Sequence, residues 1–213
     1  MSALYPFHNI IFDFGGVIID IDISRTQKAL IRLGLPAEMV SYSGNLAHGL
    51  FLRYETGIIS TEDLRNELRR TSGASFSDKE FDRAWCAMLI GIPSGRIKLL
   101  EELNRNYRVF LLSNTSPLHA AQFEKFFLKS AGVPMNTCFE KRYYSHETGL
   151  YKPDPEAFLS LTRDSGILPQ ETLFIDDSKP NTVAAEALGF QTIYLKPGVT
   201  VTELEPLKKQ AQE

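Results

Sequence analysis

The chain has 213 residues, with 23 basic and 26 acidic side chains and a formal net charge of −3. That length suits one large domain, or a domain carrying an insert, and it buries a core without disulfide or metal staples. Hydrophobic residues make up 43% and charged residues 23%, which argues against disorder and fibrous repeats, and the lack of a basic excess argues against a general nucleic-acid binder.

The first nine residues lack a basic stretch followed by an apolar run, so no secretory signal is expected. Ile10 to Ile23 is apolar but is interrupted by Asp13, Asp20 and Asp22, too charged and too short to span a bilayer. Cys86 and Cys138 lie far apart and form no CxxC pair, which reads as two reduced thiols in a cytoplasmic protein.

In chain order, Asn9 to Ile19 is predicted as a buried strand, with IIFDF running into the Gly15-Gly16 turn. The stretch from Ile21 to Pro93 holds no convincing buried strand. Ser24–Leu33, Thr61–Arg70 and Ser77–Ile90 read as amphipathic helices, the last opened by a capping box of Ser77 and Glu80. Phe81, Trp85 and Leu89 recur at helical spacing and are expected to form the core of this segment. Gly91 to Gly95 reads as the return linker.

From Arg96 onward strands and helices alternate. Arg108–Leu112, Lys141–Ser145, Thr172–Ile175 and Gln191–Leu195 are predicted strands, apolar enough to be covered on both faces. Ser116-Pro117 caps a helix reaching Ala131, Asp154-Pro155 opens one ending near Ser165, and Pro180–Leu188 is a helix stopped by Gly189. The expected fold class is therefore α/β, a Rossmann-like doubly wound parallel sheet with right-handed crossovers and an all-helical insertion after the first strand. The expected boundaries are residues 1–19 and 96–213 for the core and 20–95 for the insertion.

In such sheets ligands bind beyond the carboxyl ends of the strands. Asp13 ends the first strand, Ser113-Asn114-Thr115 the second and Asp176-Asp177 a later one, while Lys152 lies in a loop that opens a helix. Each suits phosphoryl transfer. A carboxylate can attack phosphorus, clustered carboxylates suit Mg²⁺, and a hydroxyl, a lysine and the helix N-terminus after Ser116 can hold phosphoryl oxygens. The charges of Asp13, Asp176 and Asp177 are balanced by Mg²⁺ and Lys152, so a phosphate is not repelled.

These residues lie in four runs in a fixed order: FDFGGVI from Phe12, LLSNT from Leu111, YKPDP around Lys152 and FIDDSKPN from Phe174. Together they resemble the haloacid dehalogenase (HAD) superfamily over essentially the whole chain. The resemblance implies a Rossmann-like core, a helical cap of the first cap type inserted after the first motif, and Mg²⁺ as cofactor. It implies Asp13 as nucleophile, Ser113 and Lys152 as ligands of the phosphoryl group, and Asp13, the Gly15 carbonyl and Asp177 as metal ligands; Asn114, next to Ser113, is expected to help stabilise charge on the transferring oxygens. Asp176, with Asn181, stands in the outer coordination shell. The implied partner is a small phosphorylated metabolite, with no nucleic acid or membrane, and the chain acts as a monomer or weak homodimer.

One position departs from the pattern. Most phosphatases of this superfamily carry a second aspartate two residues after the nucleophile, and here that residue is Gly15. General acid–base catalysis is typically worth about 10²- to 10⁴-fold. The gap leaves three readings: a good leaving group such as an anomeric sugar phosphate, a substitute acid among Asp20, Asp22, Glu55 and His119, or a non-hydrolytic sugar-phosphate sensor. DFGGVIIDID, YETGIIS, SNTSPLH and YKPDP further resemble the small-phosphatase branch that includes bacterial α-glucose-1-phosphate phosphatases and also lacks the second aspartate, which implies a sugar phosphate or a similarly small phosphorylated metabolite. A metal-independent dehalogenase is the rival enzyme. Arg53, Tyr54, Glu55 and His119 are candidates for the substrate side, whereas His8 and His146 are expected to be surface or structurally satisfied histidines.

Overall fold

The computed structural model describes residues 6–41, 45–205 and 207. The outer ends of the expected core, and most of the stretch read for a targeting signal, lie outside them.

Strand β1 spans Asn9–Phe12. The chain then forms an insertion. It contains β2 (Asp20–Ile21), α1 (Ile23–Arg32), α2 (Ala37–Val40), α3 (Asn45–Glu55), α4 (Thr61–Ser72), α5 (Asp78–Trp85) and β3 (Leu89–Gly91). The remainder is α6 (Ser94–Leu103), β4 (Arg108–Ser113), α7 (Pro117–Ala131), β5 (Lys141–Tyr144) and α8 (Ser145–Thr148), then α9 (Pro155–Ser165), β6 (Thr172–Asp176), α10 (Lys179–Ala187) and β7 (Gln191–Tyr194).

The main sheet is five-stranded in the order β5-β4-β1-β6-β7, and every pairing is parallel. Parallel strands are buried on both faces, so successive residues feed two cores. Ile10, Phe12, Val109, Leu111, Leu173 and Ile175 face one core with α6 and α7. Ile11, Phe110, Leu112 and Phe174 face the other, with Phe158 and Leu161 of α9 and Ala185 of α10. The fold is α/β and Rossmann-like. Strand order turns about β1, which places the ends of β1, β4 and β6 side by side.

The helix starts follow local chemistry. Ser116 caps α7 with Pro117 in its first turn, and Asp154 caps α9 with Pro155 in its first turn. Ser60 and Ser77 form capping boxes with Asp63 and Glu80.

The insertion departs from expectation in three places. First, the helix predicted to Ile90 stops at Trp85 and gives way to a 3₁₀ turn and β3. Thr26 of α1 stops it: its hydroxyl donates to the Trp85 carbonyl at 2.7 Å and accepts the Met88 N–H at 3.0 Å, satisfying groups that a continuing helix would pair internally. Second, β3 pairs antiparallel with β2 where the chain leaves and re-enters the sheet core, so the segment does contain strands. Third, Leu89 packs in the sheet core, not with Phe81 and Trp85. The expected first strand is also shorter, ending at Phe12 and leaving Asp13 just past it. Helix α3 had no counterpart in the sequence reading.

Helices α1, α3, α4 and α5 bury their own cluster, with Trp85 against Phe51, Tyr54 and Phe81. Trp85 also ties this cluster to α7. Its ring stacks on His119 at 5.3 Å and its Nε1–H donates to Ser116 Oγ at 3.0 Å. Among the described residues no helix is long and apolar enough to cross a membrane.

Candidate active site

The Asp13 N–H donates to the Ile175 carbonyl at 2.9 Å, which extends the β1–β6 register by one bond and fixes Asp13 beside Asp176. Lys152 reaches the same point from the loop before α9. Its Nζ donates to Asp13 Oδ1 and to Asp176 Oδ2, each at 2.7 Å. Lys152 is 2% exposed and Asp176 fully buried, so water screens this group little. Asn181 Nδ2 donates to Asp176 Oδ2 at 3.0 Å and the Ser178 N–H to Asp176 Oδ1 at 2.7 Å. Asp176 is thus bonded through both oxygens.

Asn114 holds the lysine loop. Its Nδ2 donates to the Lys152 carbonyl at 2.8 Å, and its Oδ1 accepts the Lys152 N–H at 2.9 Å. Ser113 is buried at the end of β4. The N-terminus of α7, expected to offer N–H groups to a ligand, is already committed. The Leu118 N–H donates to Tyr54 Oη, and the His119 and Ala120 N–H groups to Ser116. Only the helix dipole is left to act there.

Burial pushes the Asp13 carboxyl up to about 7, with the charges of Asp176 and Asp177 adding to it and Lys152 opposing. Asp177 is raised by burial and by Asp176. Burial pulls Lys152 down, but the facing carboxylates outweigh it and hold the ammonium above its usual range. Such crowding of like charge calls for another cation.

A metal fits here. Asp13, Asp176 and Asp177 each offer an oxygen within 4.8 Å of the others, and the Gly15 carbonyl accepts no hydrogen bond from the described residues. These are hard oxygen donors of the kind Mg²⁺ takes. Gly16 adopts φ +72°, and a Cβ there would overlap Asp177 Oδ2. Only glycine leaves room for that carboxylate. Gly15 is unlike it: a Cβ would meet only Ile21 Cδ1, at 3.5 Å.

Two cavities adjoin here, and the larger opens on this cluster. One of about 390 Å³ is lined by Asp13, Lys152, Asp176, Asp177 and Asn181. A second of about 180 Å³ is lined by Ser113, Asn114, Glu55 and His119 among apolar side chains. Gly15, Ile21, Asn114 and Tyr151 border both.

Residues 7–189 match the haloacid dehalogenase-like hydrolase family. The chain is a haloacid dehalogenase-like hydrolase. It is 34% identical over 190 residues to a D-ribitol-5-phosphate phosphatase of Bacteroides thetaiotaomicron, covering 89% of this chain and 92% of that protein. A HAD-family enzyme of the same organism, solved with magnesium and inorganic phosphate, superposes with TM-score 0.80 at 36% identity, covering 91% of this chain and 96% of that one. A HAD-like hydrolase from Porphyromonas gingivalis superposes with TM-score 0.85 at 33% identity, covering 98% and 99%.

Within this HAD-like hydrolase the four expected runs converge, but the substrate-side candidates separate. Tyr54 is fully buried in the helical cluster and Arg53 is exposed away from both cavities, leaving Glu55 and His119. Asp20 pairs with Arg96 at 2.8 Å and Asp22 caps α1, and neither lines either of these two cavities. His8 is exposed, and His146 is half-buried with Nδ1–H donating to the Thr115 carbonyl at 3.1 Å. Sequence reasoning missed Tyr151, whose only signal is its place beside Lys152.

Proposed function

We propose that this hydrolase removes the phosphoryl group from a small phosphorylated sugar or polyol, with Asp13 as nucleophile and an aspartyl-phosphate intermediate. The enzyme class is phosphoric monoester hydrolase and the cofactor is Mg²⁺. The observation that carries the reading is Lys152 bridging Asp13 and Asp176 with the Asp177 carboxylate alongside.

Asp13, the Gly15 carbonyl and Asp177 would hold the metal, with Asp176 and Asn181 behind them. When bound, Mg²⁺ supplies positive charge that offsets both the carboxylates and the transferring phosphoryl oxygens. The chain's residues do the rest. Lys152 holds one Asp13 oxygen, leaving the other to attack phosphorus in line. Lys152 and Ser113 stabilise charge on the transferring oxygens, while Asn114 fixes the lysine backbone. The leaving group then lies opposite Asp13, toward the insertion.

We place residues 20–95 as the cap over residues 1–19 and 96–213, choosing the substrate and excluding bulk water. The free thiols of Cys86 and Cys138 suit a cytoplasmic enzyme, acting as a monomer or weak homodimer. A dehalogenase has no use for three clustered carboxylates, and a sensor needs no carboxylate held for in-line attack. The test is phosphate release from α-glucose 1-phosphate, D-ribitol 5-phosphate and other sugar phosphates, with and without Mg²⁺. Metal-dependent release is expected, and no release from any of them overturns the reading.

A further inference from the structure

We propose that Glu55 is the acid–base residue that protonates the departing oxygen and then activates the attacking water, in place of the aspartate absent at Gly15. This rests on the phosphatase reading above and names a catalytic group that reading lacks.

Position supports it first. Glu55 ends α3 and is 8% exposed. Its carbonyl accepts from Ser145 Oγ at 2.5 Å, and Ser145 Oγ in turn accepts the Thr115 N–H at 2.9 Å. The end of α3 is therefore pinned to the loop after Ser113. One carboxylate oxygen, Oε2, accepts from Tyr151 Oη at 3.1 Å. The other, Oε1, has no partner among the described residues and is not sealed from the cavity.

Geometry supplies the second argument. A phosphoryl group over Asp13 occupies the larger cavity, and in-line attack sends its leaving group away from Asp13. The smaller cavity adjoins there through Gly15 and Asn114. At about 180 Å³ it is somewhat larger than the roughly 150 Å³ space that holds benzene. A leaving group of a few carbons fits, beside Glu55.

The other titratable groups around Glu55 do not serve. His119 Nε2 lies 2.9 Å from the Trp85 carbonyl, which can only accept, so Nε2 carries the ring proton. Burial drives this ring down to about 4, leaving it neutral with Nδ1 as an acceptor. His146 is turned to Thr115. Burial raises Tyr54, and Tyr151 is the donor to Glu55. Burial lifts Glu55 to about 7, against the Tyr151 hydrogen bond, so near neutral pH both its protonated and its ionised forms are populated and it can give up and take back a proton.

The steps balance. As the Asp13 Oδ–P bond forms and the ester P–O bond breaks, the Glu55 proton passes to the leaving oxygen. Glu55 carboxylate then takes a proton from water as that oxygen bonds phosphorus and the Asp13–phosphorus bond breaks, returning both residues to their starting forms. Freed from dependence on an intrinsically good leaving group, the site turns over phosphates of simple alcohols as well as anomeric phosphates.

Stopped-flow kinetics of Glu55→Gln tests this, since glutamine keeps an acceptor for Tyr151 and cannot shuttle a proton. With p-nitrophenyl phosphate, whose phenolate leaves unaided, a burst approaching one p-nitrophenolate per site is expected, followed by slow turnover. With D-ribitol 5-phosphate no burst is expected, and kcat falls by about 10²- to 10⁴-fold. Equal slowing of the first turnover for both substrates, or no slowing for either, overturns the proposal. Wild-type protein inactive on both substrates overturns the phosphatase reading and this proposal with it. Tyr151→Phe supplies a second measurement. Losing the bond that favours the carboxylate moves the alkaline limb of kcat for D-ribitol 5-phosphate to higher pH, and an unmoved limb overturns the assignment.

Discussion

Lys152 Nζ stands 2.7 Å from Asp13 Oδ1, with the lysine side chain essentially sealed from water. The same nitrogen meets Asp176 Oδ2 at 2.7 Å, so one cation orders two carboxylates at the ends of neighbouring strands. Removing one member of a buried charged pair costs about 3–5 kcal/mol, because the other charge stays buried. Lys152→Met is therefore expected to unfold at lower urea concentration in metal-free buffer. Its turnover should fall at least about 10²-fold, the usual effect of losing one preorganised charge-stabilising group. Urea titration and phosphate-release kinetics on the same preparation check both.

Gly15 and Gly16 make a matched pair. Gly15 has room for a Cβ, whereas one at Gly16 overlaps Asp177 and requires φ +72°. Gly15→Asp is expected to fold and to restore turnover of alkyl phosphates to Glu55→Gln, changing the anomeric phosphate little. Gly16→Ala is expected to weaken Mg²⁺ binding sharply. Steady-state kinetics of the double variant and a Mg²⁺ titration of Gly16→Ala read these out.

Mg²⁺ should stabilise the folded chain by RT ln(1 + [Mg²⁺]/Kd). Wild-type Tm is expected to climb with Mg²⁺ in the absence of substrate. Asp177→Asn should flatten that response, as measured by differential scanning calorimetry across a Mg²⁺ series.

His119 gives a pH dependence with a definite sign. Its pKa falls from 6.5 to about 4 on burial. The unfolded chain therefore binds this proton and the folded chain does not. Its contribution is complete above pH 6.5 and is lost as pH falls toward 4, with a slope of up to about 1.4 kcal/mol per pH unit. His119→Gln keeps a donor for the Trp85 carbonyl and removes the titration. Urea unfolding at pH 7, 5.5 and 4.5 is expected to show a shallower acid loss for the variant.

The sheet was legible because buried parallel strands read as continuous apolar runs, and Phe12, Leu111 and Phe174 sit in such runs. The helices opened by Ser116-Pro117 and Asp154-Pro155 were legible because capping is local. The end of α5 was not, because Thr26, 59 residues away, terminates it. Strand β2 has only two residues, too few to show a period. Asp13, Lys152, Asp176 and Asp177 were recognisable as motifs at strand ends. Glu55 was one candidate among several, because its significance depends on a contact with Tyr151 across 96 residues. The commitment of the α7 N–H groups to Tyr54 and Ser116 was equally invisible, being a tertiary matter.

The central claim is that Asp13 carries the phosphoryl group. The most direct measurement is acid-quench trapping during turnover of radiolabelled D-ribitol 5-phosphate or α-glucose 1-phosphate with Mg²⁺, followed by peptide mapping. The account predicts label on the peptide containing Asp13, and none in Asp13→Asn, which also releases no phosphate. Phosphate release by Asp13→Asn at the wild-type rate would contradict it.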